Sequence, residues 1–361
     1  MESSGRLNDG NLKLPSFMNS LRFPSLCIVA FSLLSVSCSK EPEKQQVVVY
    51  TSVDDVFARP VAEAFEKSTG IVVKLVPDTE ETKSAGLLNR LIAEKTRPQC
   101  DVFWSGDPVR AGILKNKGIS AAYNSPAAAG LPAQFSDPQQ HFTGFSTRAR
   151  VIIYNTSRCP AGSEPKSVRE LADAKWKGQA CMANPLFGTT SMQAAAWFET
   201  MGEEPAKAFF TALAANEVKL LSSNGEVKRR VAAGDFAFGL TDTDDAIGAV
   251  LEGKPVNFVI PDQDAAGAGT LLVPNAAVLI AGAPHPEAGK RFIDFLLSAE
   301  SEKMLAQSEA AQIPLRPGVP GPEKLPPLGR IKALAVDYAA LASRLDALQQ
   351  GFLKEWTAQQ P

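Results

Sequence analysis

The chain has 361 residues, enough at roughly 100–200 residues per domain for two domains with a core each. Apolar residues at 45% and charged residues at 21% are the balance of an ordinary globular protein, which excludes a disordered, collagen-like or coiled-coil chain. Lys+Arg 37 against Asp+Glu 39 leaves a net charge of -2 and no basic excess for a nucleic acid, and two histidines, His141 and His285, leave little room for a His-based zinc site or Ser-His-Asp chemistry.

The first segment reads as an address. Residues 26–36 are an apolar run well short of the about 20 residues a spanning helix needs. Arg22 precedes it and small residues lead to Cys38, the layout of a secretory signal over residues 1–37, with Met18 giving a more ordinary start. Residues 38–46 form a polar tether. Export to an oxidising compartment leaves two expectations for Cys100, Cys159 and Cys181: a Cys159–Cys181 disulfide, or three buried free thiols.

The first α/β unit follows. Residues 47–50 are a buried strand, 60–67 a helix with Pro60 in its first turn, and Gly70 its stop. Residues 71–76 are the next strand. Asp78-Thr79-Glu80-Glu81 is a capping box before the helical spacing of Leu87, Leu88, Leu91 and Ile92. Residues 101–104 form a third strand, and Asp107-Pro108 opens another helix. Strand alternating with helix predicts a parallel sheet.

The pattern restarts downstream. Strands are predicted over 151–154, 179–183, 218–221, 236–240, 256–260 and 277–281. Between them lie a capping box at 167–170, helices over 192–201 and 204–215, a Ser223-capped helix ending at Gly234, and helices over 244–252 and 286–297. A helical tail spans 331–356. The chain crosses between the two units at 142–150 and 264–274. Ligands in open parallel sheets sit beyond the carboxyl ends of strands, so function is expected at residues 51–54, 105–107, 184–190 and 241–245.

No G-x-S-x-G, P-loop or H-E-x-x-H motif occurs, and Gly267-Ala268-Gly269 lacks the third glycine of a dinucleotide loop. A carboxylate-pair hydrolase stays open as the enzyme alternative, although the 7% aromatic content is low for a sugar platform.

Several segments share an order and spacing with a known family. They are Val49-Tyr50-Thr51-Ser52; Ala62, Phe65 and Ser68-Thr69-Gly70-Ile71; Leu87-Leu88-Asn89-Arg90-Leu91 before Asp101-Val102-Phe103-Trp104-Ser105; and Arg150-Val151-Ile152-Ile153-Tyr154-Asn155-Thr156. Asn184-Pro185 through Gly188-Thr189-Thr190, Phe292-Ile293-Asp294-Phe295-Leu296-Leu297-Ser298 and Pro314-Leu315-Arg316-Pro317-Gly318 complete the set. Together they resemble the type 1 extracellular solute-binding proteins of bacterial ABC importers, in particular the ferric-iron-binding branch. The Cys38 context resembles a lipoprotein box, in which the cysteine is lipidated and anchors an envelope protein to the membrane.

The resemblance implies an α/β, two-lobe periplasmic binding protein fold of type II, each lobe a mostly parallel sheet flanked by helices, with the ligand cleft between them. Lobe 1 is expected over 47–142 plus 269–315, and lobe 2 over 143–268 plus 316–361. It also implies a monomeric binding protein rather than an enzyme, with ABC permease and ATPase subunits as partners. Where the ferric branch offers His, Glu and two Tyr, this chain has Asp54, Gly106 with Asp107 beside it, Asp244 and Asp245; the usual two-phenolate iron site is therefore excluded. Ser52, Asp54, Ser105, Asp107, Gly188, Thr189, Thr190, Asp244 and Asp245 are the candidate ligand-binding residues. Asp54, Asp244 and Asp245 are the candidate ligands for Fe3+ or another hard cation carried with an anion. A zwitterion such as 2-aminoethylphosphonate is the alternative solute.

Bland readings stand beside these. Asp107 and Asp242 could each simply cap a helix, and the acidic run at 242–245 could be a solvated helix start. Thr189 and Thr190 could cap a helix or seat an anion. Either Arg148 or Arg150 faces the cleft.

Overall fold

A computed structural model describes residues 44–78 and 85–360. The signal segment, Cys38, most of the tether and the capping box after Asp78 lie outside the described residues. Among the described residues no helix is long and apolar enough to cross a membrane.

The first half is built on β1 (Gln46–Thr51), α1 (Asp55–Thr69), β2 (Val72–Pro77), α2 (Ala85–Ala93), β3 (Val102–Ser105), α3 (Pro108–Asn116) and the short β4 (Ser120–Ala121). β1 lies between β2 and β3 and is parallel to both. A strand so placed is covered on both faces, hence its continuous apolar run. Val47, Val49 and Trp104 pack with Val61 and Phe65 on one face; Tyr50 and Phe103 pack with Leu91 and Leu114 on the other. α1 begins five residues before its predicted start, and Pro60 lies in its interior, on an exposed face. The missing N–H there frees only the carbonyl of exposed Val56. Gly70, at φ 72, closes the helix as expected.

The predicted crossing loop at 142–150 is instead part of one long strand, β5 (Thr143–Asn155). Its second part pairs with strands of the other half, β8 and β9. Gly144 and Ser146 look like loop residues for other reasons. A Cβ at Gly144 would strike the Phe135 backbone. Ser146, at φ 32, is the extra residue of a bulge opposite Pro274, and its N–H and hydroxyl donate to buried Glu302 at 2.8 and 3.2 Å.

The second half continues through β6 (Ala180–Ala183), α4 (Gly188–Met201), α5 (Glu203–Ala215), β7 (Lys219–Leu221), α6 (Asn224–Ala232), β8 (Phe238–Asp242), α7 (Thr243–Leu251) and β9 (Val256–Val259). β7, β6 and β8 are parallel, and β5 closes them antiparallel. The chain returns through β10 (Leu272–Ile280), which lies antiparallel between β3 and β5, followed by α8 (Pro286–Leu296) and α9 (Ala299–Gln307).

The tail is helical only from residue 338. Residues 331–337 run extended because Ala333 bridges to Thr270 and Lys332 is bonded to the loop at 263–267. Then come α10 (Tyr338–Gln350) and α11 (Phe352–Ala358). α10 packs against both α3 and α4. A Cβ on Gly112 of α3 would stand 2.6 Å from that of Ala342, so glycine lets these helices approach. Arg344 reaches Glu199 of α4 at 3.0 Å. Cys159 and Cys181 are not joined; with Cys100 they are buried free thiols, Cys181 on β6, Cys100 just before β3 and Cys159 in the bend after β5.

Candidate functional site

A pocket of about 80 Å3 opens where the N-termini of α1 and α3 face those of α4, α6 and α7. Each of these helices follows a strand, so the loops at the strands' carboxyl ends supply the walls, as the topology predicts. Ser52, Asp54, Asp107, Gly188, Thr189, Thr190, Asp244 and Asp245 all line it. Ser105 does not: it is fully buried behind the wall, where its Oγ accepts from the Asp107 N–H at 3.4 Å.

Beneath the pocket lies an ion-pair network that the sequence reading did not assemble. Arg150 is fully buried and donates to the Asp242 carboxylate at 2.7 Å, the Thr189 and Thr190 hydroxyls at 2.9 and 3.2 Å, and Asn224 Oδ1 at 3.3 Å. Asp242 also accepts from the Thr189 hydroxyl at 2.7 Å and from Asn224 Nδ2 at 3.1 Å. It occupies the N-cap position of α7 but makes no side-chain cap bond, so the capping role expected for it is not the one it has. Burial opposes its charge, yet Arg150 and Arg148 outweigh burial and hold the carboxyl below its ordinary range.

Arg148 is the arginine that faces the pocket. Its guanidinium donates to the Gly106 carbonyl at 2.5 Å and lies 3.3 Å from Asp242 and 3.6 Å from Asp244. Burial works against its charge, and Asp242, Asp244, Asp54 and Asp107 more than restore it. Asp107 is a true N-cap, accepting from the Arg110 N–H at 2.9 Å. The Arg110 side chain crosses to α4, donating to Ser191 Oγ at 2.7 Å and the Gly188 carbonyl at 3.3 Å.

Asp245 is the opposite case. Burial, then the charges of Asp244 and Asp242, push its carboxyl up to about 7 against a weaker pull from the Thr241 hydroxyl, which donates to it at 2.8 Å. The two threonine hydroxyls expected to meet an anion are turned inward to Arg150, Asp242 and Asn224. What α4 offers the pocket is backbone: first-turn N–H groups with no intrahelical acceptor, behind an N-cap residue, Phe187, whose side chain makes no cap bond.

Asp54, Asp244 and Asp245 line one pocket, but among the described residues no three His, Cys, Asp or Glu side chains gather closely enough to hold a metal ion. The pocket lining contains no tyrosine or histidine. Arg148, one of the two arginines expected at the cleft, and Asp242, within the expected loop at 241–245, also line the pocket; Ser222, Ser223 and Asn224 lie outside every expected loop. The strand-end rule applied to β7 finds all three, where local pattern shows only a cap at Ser223.

The family of bacterial extracellular solute-binding proteins matches residues 61–327. Iron uptake protein A1 of Synechocystis is 27% identical over 327 residues, 85% of this chain and 88% of its own length. A Salmonella typhi periplasmic protein named for 2-aminoethylphosphonate binding is 28% identical over 249 residues, 68% of this chain and 70% of its own. The crystal structure of iron-bound HitA from Pseudomonas aeruginosa superposes with a TM-score of 0.76 at 24% identity, covering 85% of this chain and 98% of that one. The shared fold is the two-lobe one, and these proteins are binders rather than enzymes.

Proposed function

The chain belongs to the bacterial extracellular solute-binding proteins, and from that premise we propose that it captures a small zwitterion carrying a phosphonate or phosphate and an ammonium group, such as 2-aminoethylphosphonate, and delivers it to an ABC permease and its ATPase. The observation that carries this reading is the division of the pocket by charge. The first-turn amides of α4 and α6 give an electropositive seat for a tetrahedral oxyanion. Asp54 and Asp245 give a carboxylate seat for the ammonium. The guanidinium of Arg148, beside Asp242 and Asp244, already stands where a bare cation would be sought. The volume suits a solute of a few heavy atoms.

Fe3+ with a synergistic anion is the second reading, favoured by the iron-named relatives. Asp54, Asp244 and Asp245 would then be its ligands and the α4 amides the anion seat, and the loaded protein would lack phenolate colour. In either case contacts from both lobes favour the closed state, with lobe 1 over 47–142 plus 269–315, lobe 2 over 143–268 plus 316–361, and flexing at residues 147–150 of β5. Micromolar capture requires about 8 kcal/mol, within reach of several charge-assisted bonds.

Thermal shift against 2-aminoethylphosphonate, inorganic phosphate, Fe3+-citrate, Mn2+ and Ca2+ tests this. Stabilisation by the aminophosphonate, lost in Asp54→Ala/Asp245→Ala, is the expected result. Stabilisation by Fe3+-citrate alone moves the assignment to the second reading, and none by either refutes both. Lipid anchoring at Cys38 predicts detergent partitioning of the protein and its loss in Cys38→Ser.

A further inference from the structure

Among the described residues that line the pocket, Phe187 is the one aromatic, and apart from Ala183 the one with a wholly apolar side chain. It is 36% exposed and joins neither apolar core. Its neighbour Leu186 does pack onto the core, so the loop is anchored without the ring. A single exposed apolar side chain is ordinary on a protein surface. At the head of a helix, in a pocket of hydroxyls and carboxylates, it is not.

Phe187 holds the N-cap position of α4 and makes no cap bond. Serine, threonine, aspartate and asparagine are preferred there, because their side-chain oxygen accepts from an N–H of the first turn. The other helices that face the pocket carry Asp54, Asp107, Ser223 or Asp242 at that position. The Phe187 backbone, at φ -130 and ψ 163, is that of an ordinary N-cap, so serine would fit without a change of path. Gly188 follows at φ 53, where glycine is favoured, and a Cβ on it would meet nothing within 4 Å. The head of α4 is therefore open to the pocket, and a capping side chain there would take up an N–H that the oxyanion seat uses.

We propose that Phe187 sets the solute specificity of this pocket, an inference that rests on the aminophosphonate reading above. Having no capping atom, the side chain leaves the α4 amides to the oxyanion. Its ring covers the methylene chain that joins the oxyanion to the ammonium. An oxyanion seated on α4 directs its first carbon past residue 187, and the way to Asp54 and Asp245 is otherwise lined by polar side chains and backbone. The favoured solute is therefore an aminoalkylphosphonate with bare methylenes, and each methylene covered by the ring strengthens binding about fourfold.

The test is isothermal titration of the full chain with 2-aminoethylphosphonate and aminomethylphosphonate, together with melting of the solute-free protein, in wild type, Phe187→Ala and Phe187→Ser. Both variants change a side chain outside the cores, so the fold is retained. Phe187→Ala should weaken the two-carbon solute about sixteenfold and the one-carbon solute about fourfold. Phe187→Ser, which supplies a cap, should melt above Phe187→Ala without solute, yet bind both solutes more weakly than Phe187→Ala does. Equal losses for the two solutes in Phe187→Ala, or no loss, overturn the inference. So does a Phe187→Ser protein that melts no higher, or binds no more weakly, than Phe187→Ala. A wild type that binds neither solute refutes the reading of the pocket itself, and the role of Phe187 with it.

Discussion

Replacing Asp245 with asparagine removes a carboxyl whose environment penalises its charge, and the penalty can be read as a pH dependence. The side chain titrates at about 7 in the folded protein, against an ordinary 3.8, because burial and then Asp244 and Asp242 disfavour its anion. The native state therefore keeps a proton that the unfolded chain releases. Stability is fully present near pH 4, falls as pH rises toward 7, and levels off above it. A shift of about three units at about 1.4 kcal/mol each sets a ceiling on the order of 4 kcal/mol, which water in the pocket reduces. Asparagine still accepts from the Thr241 hydroxyl and cannot ionise. Urea unfolding at pH 5 and pH 8 should show the stability of Asp245→Asn relative to the wild type rising between the two by at most about 3 kcal/mol. A difference between the two proteins that is the same at both pH values refutes the reasoning.

Arg150→Met leaves Asp242 buried without its shorter ion pair and should cost about 3–5 kcal/mol, much of it recovered in Arg150→Met/Asp242→Asn, as melting temperatures of the single and double variants would show. Gly112→Val should overpack α3 against Ala342 and cost about 1–3 kcal/mol, with partial rescue by Ala342→Gly, in the same assay. Burial raises the thiols of Cys100, Cys159 and Cys181 above their ordinary value, so all three should react with a thiol reagent only as fast as the protein unfolds. A fast-reacting fraction in the folded protein would contradict their placement.

Much of the frame was legible. The apolar runs at 47–50 and 101–104 mark strands buried on both faces, and Asp107-Pro108 and Ser223 announce helix starts that the structure retains. Four of the five loops that wall the pocket followed from strand ends; the one after β7, at Ser222 to Gly225, did not. Nor did the network beneath them, for a physical reason. Arg148 and Arg150 are two apart on a strand, so their side chains share a face and local spacing cannot rank them. Only the packing of α4 and α7 over Arg150 separates the buried arginine from the one beside the pocket. Asp242 misled in the same way: a helix start explains an aspartate well enough locally, and its true partners lie 53 and 92 residues away in sequence. The strand at 143–150 was hidden because its glycine and serine answer to a close contact with Phe135 and to Glu302, which no local pattern reveals.

The placement of α10 governs how the pocket can widen. That helix lies across α3, which belongs to one wall, and α4, which belongs to the other. The two walls therefore cannot separate while both contacts persist. Against α3 the fit is close, with Gly112 under Ala342. Against α4 it adds Arg344 on Glu199, and the following helix α11 seats Phe352 and Trp356 on Phe198 of α4 and Phe210 of α5. That buried aromatic seat is the firmer joint, so α10 should travel with α4 while the glycine-bearing face of α3 slides along it. Entry of solute would then be timed by a shear between two helices as well as by bending at the connecting strands.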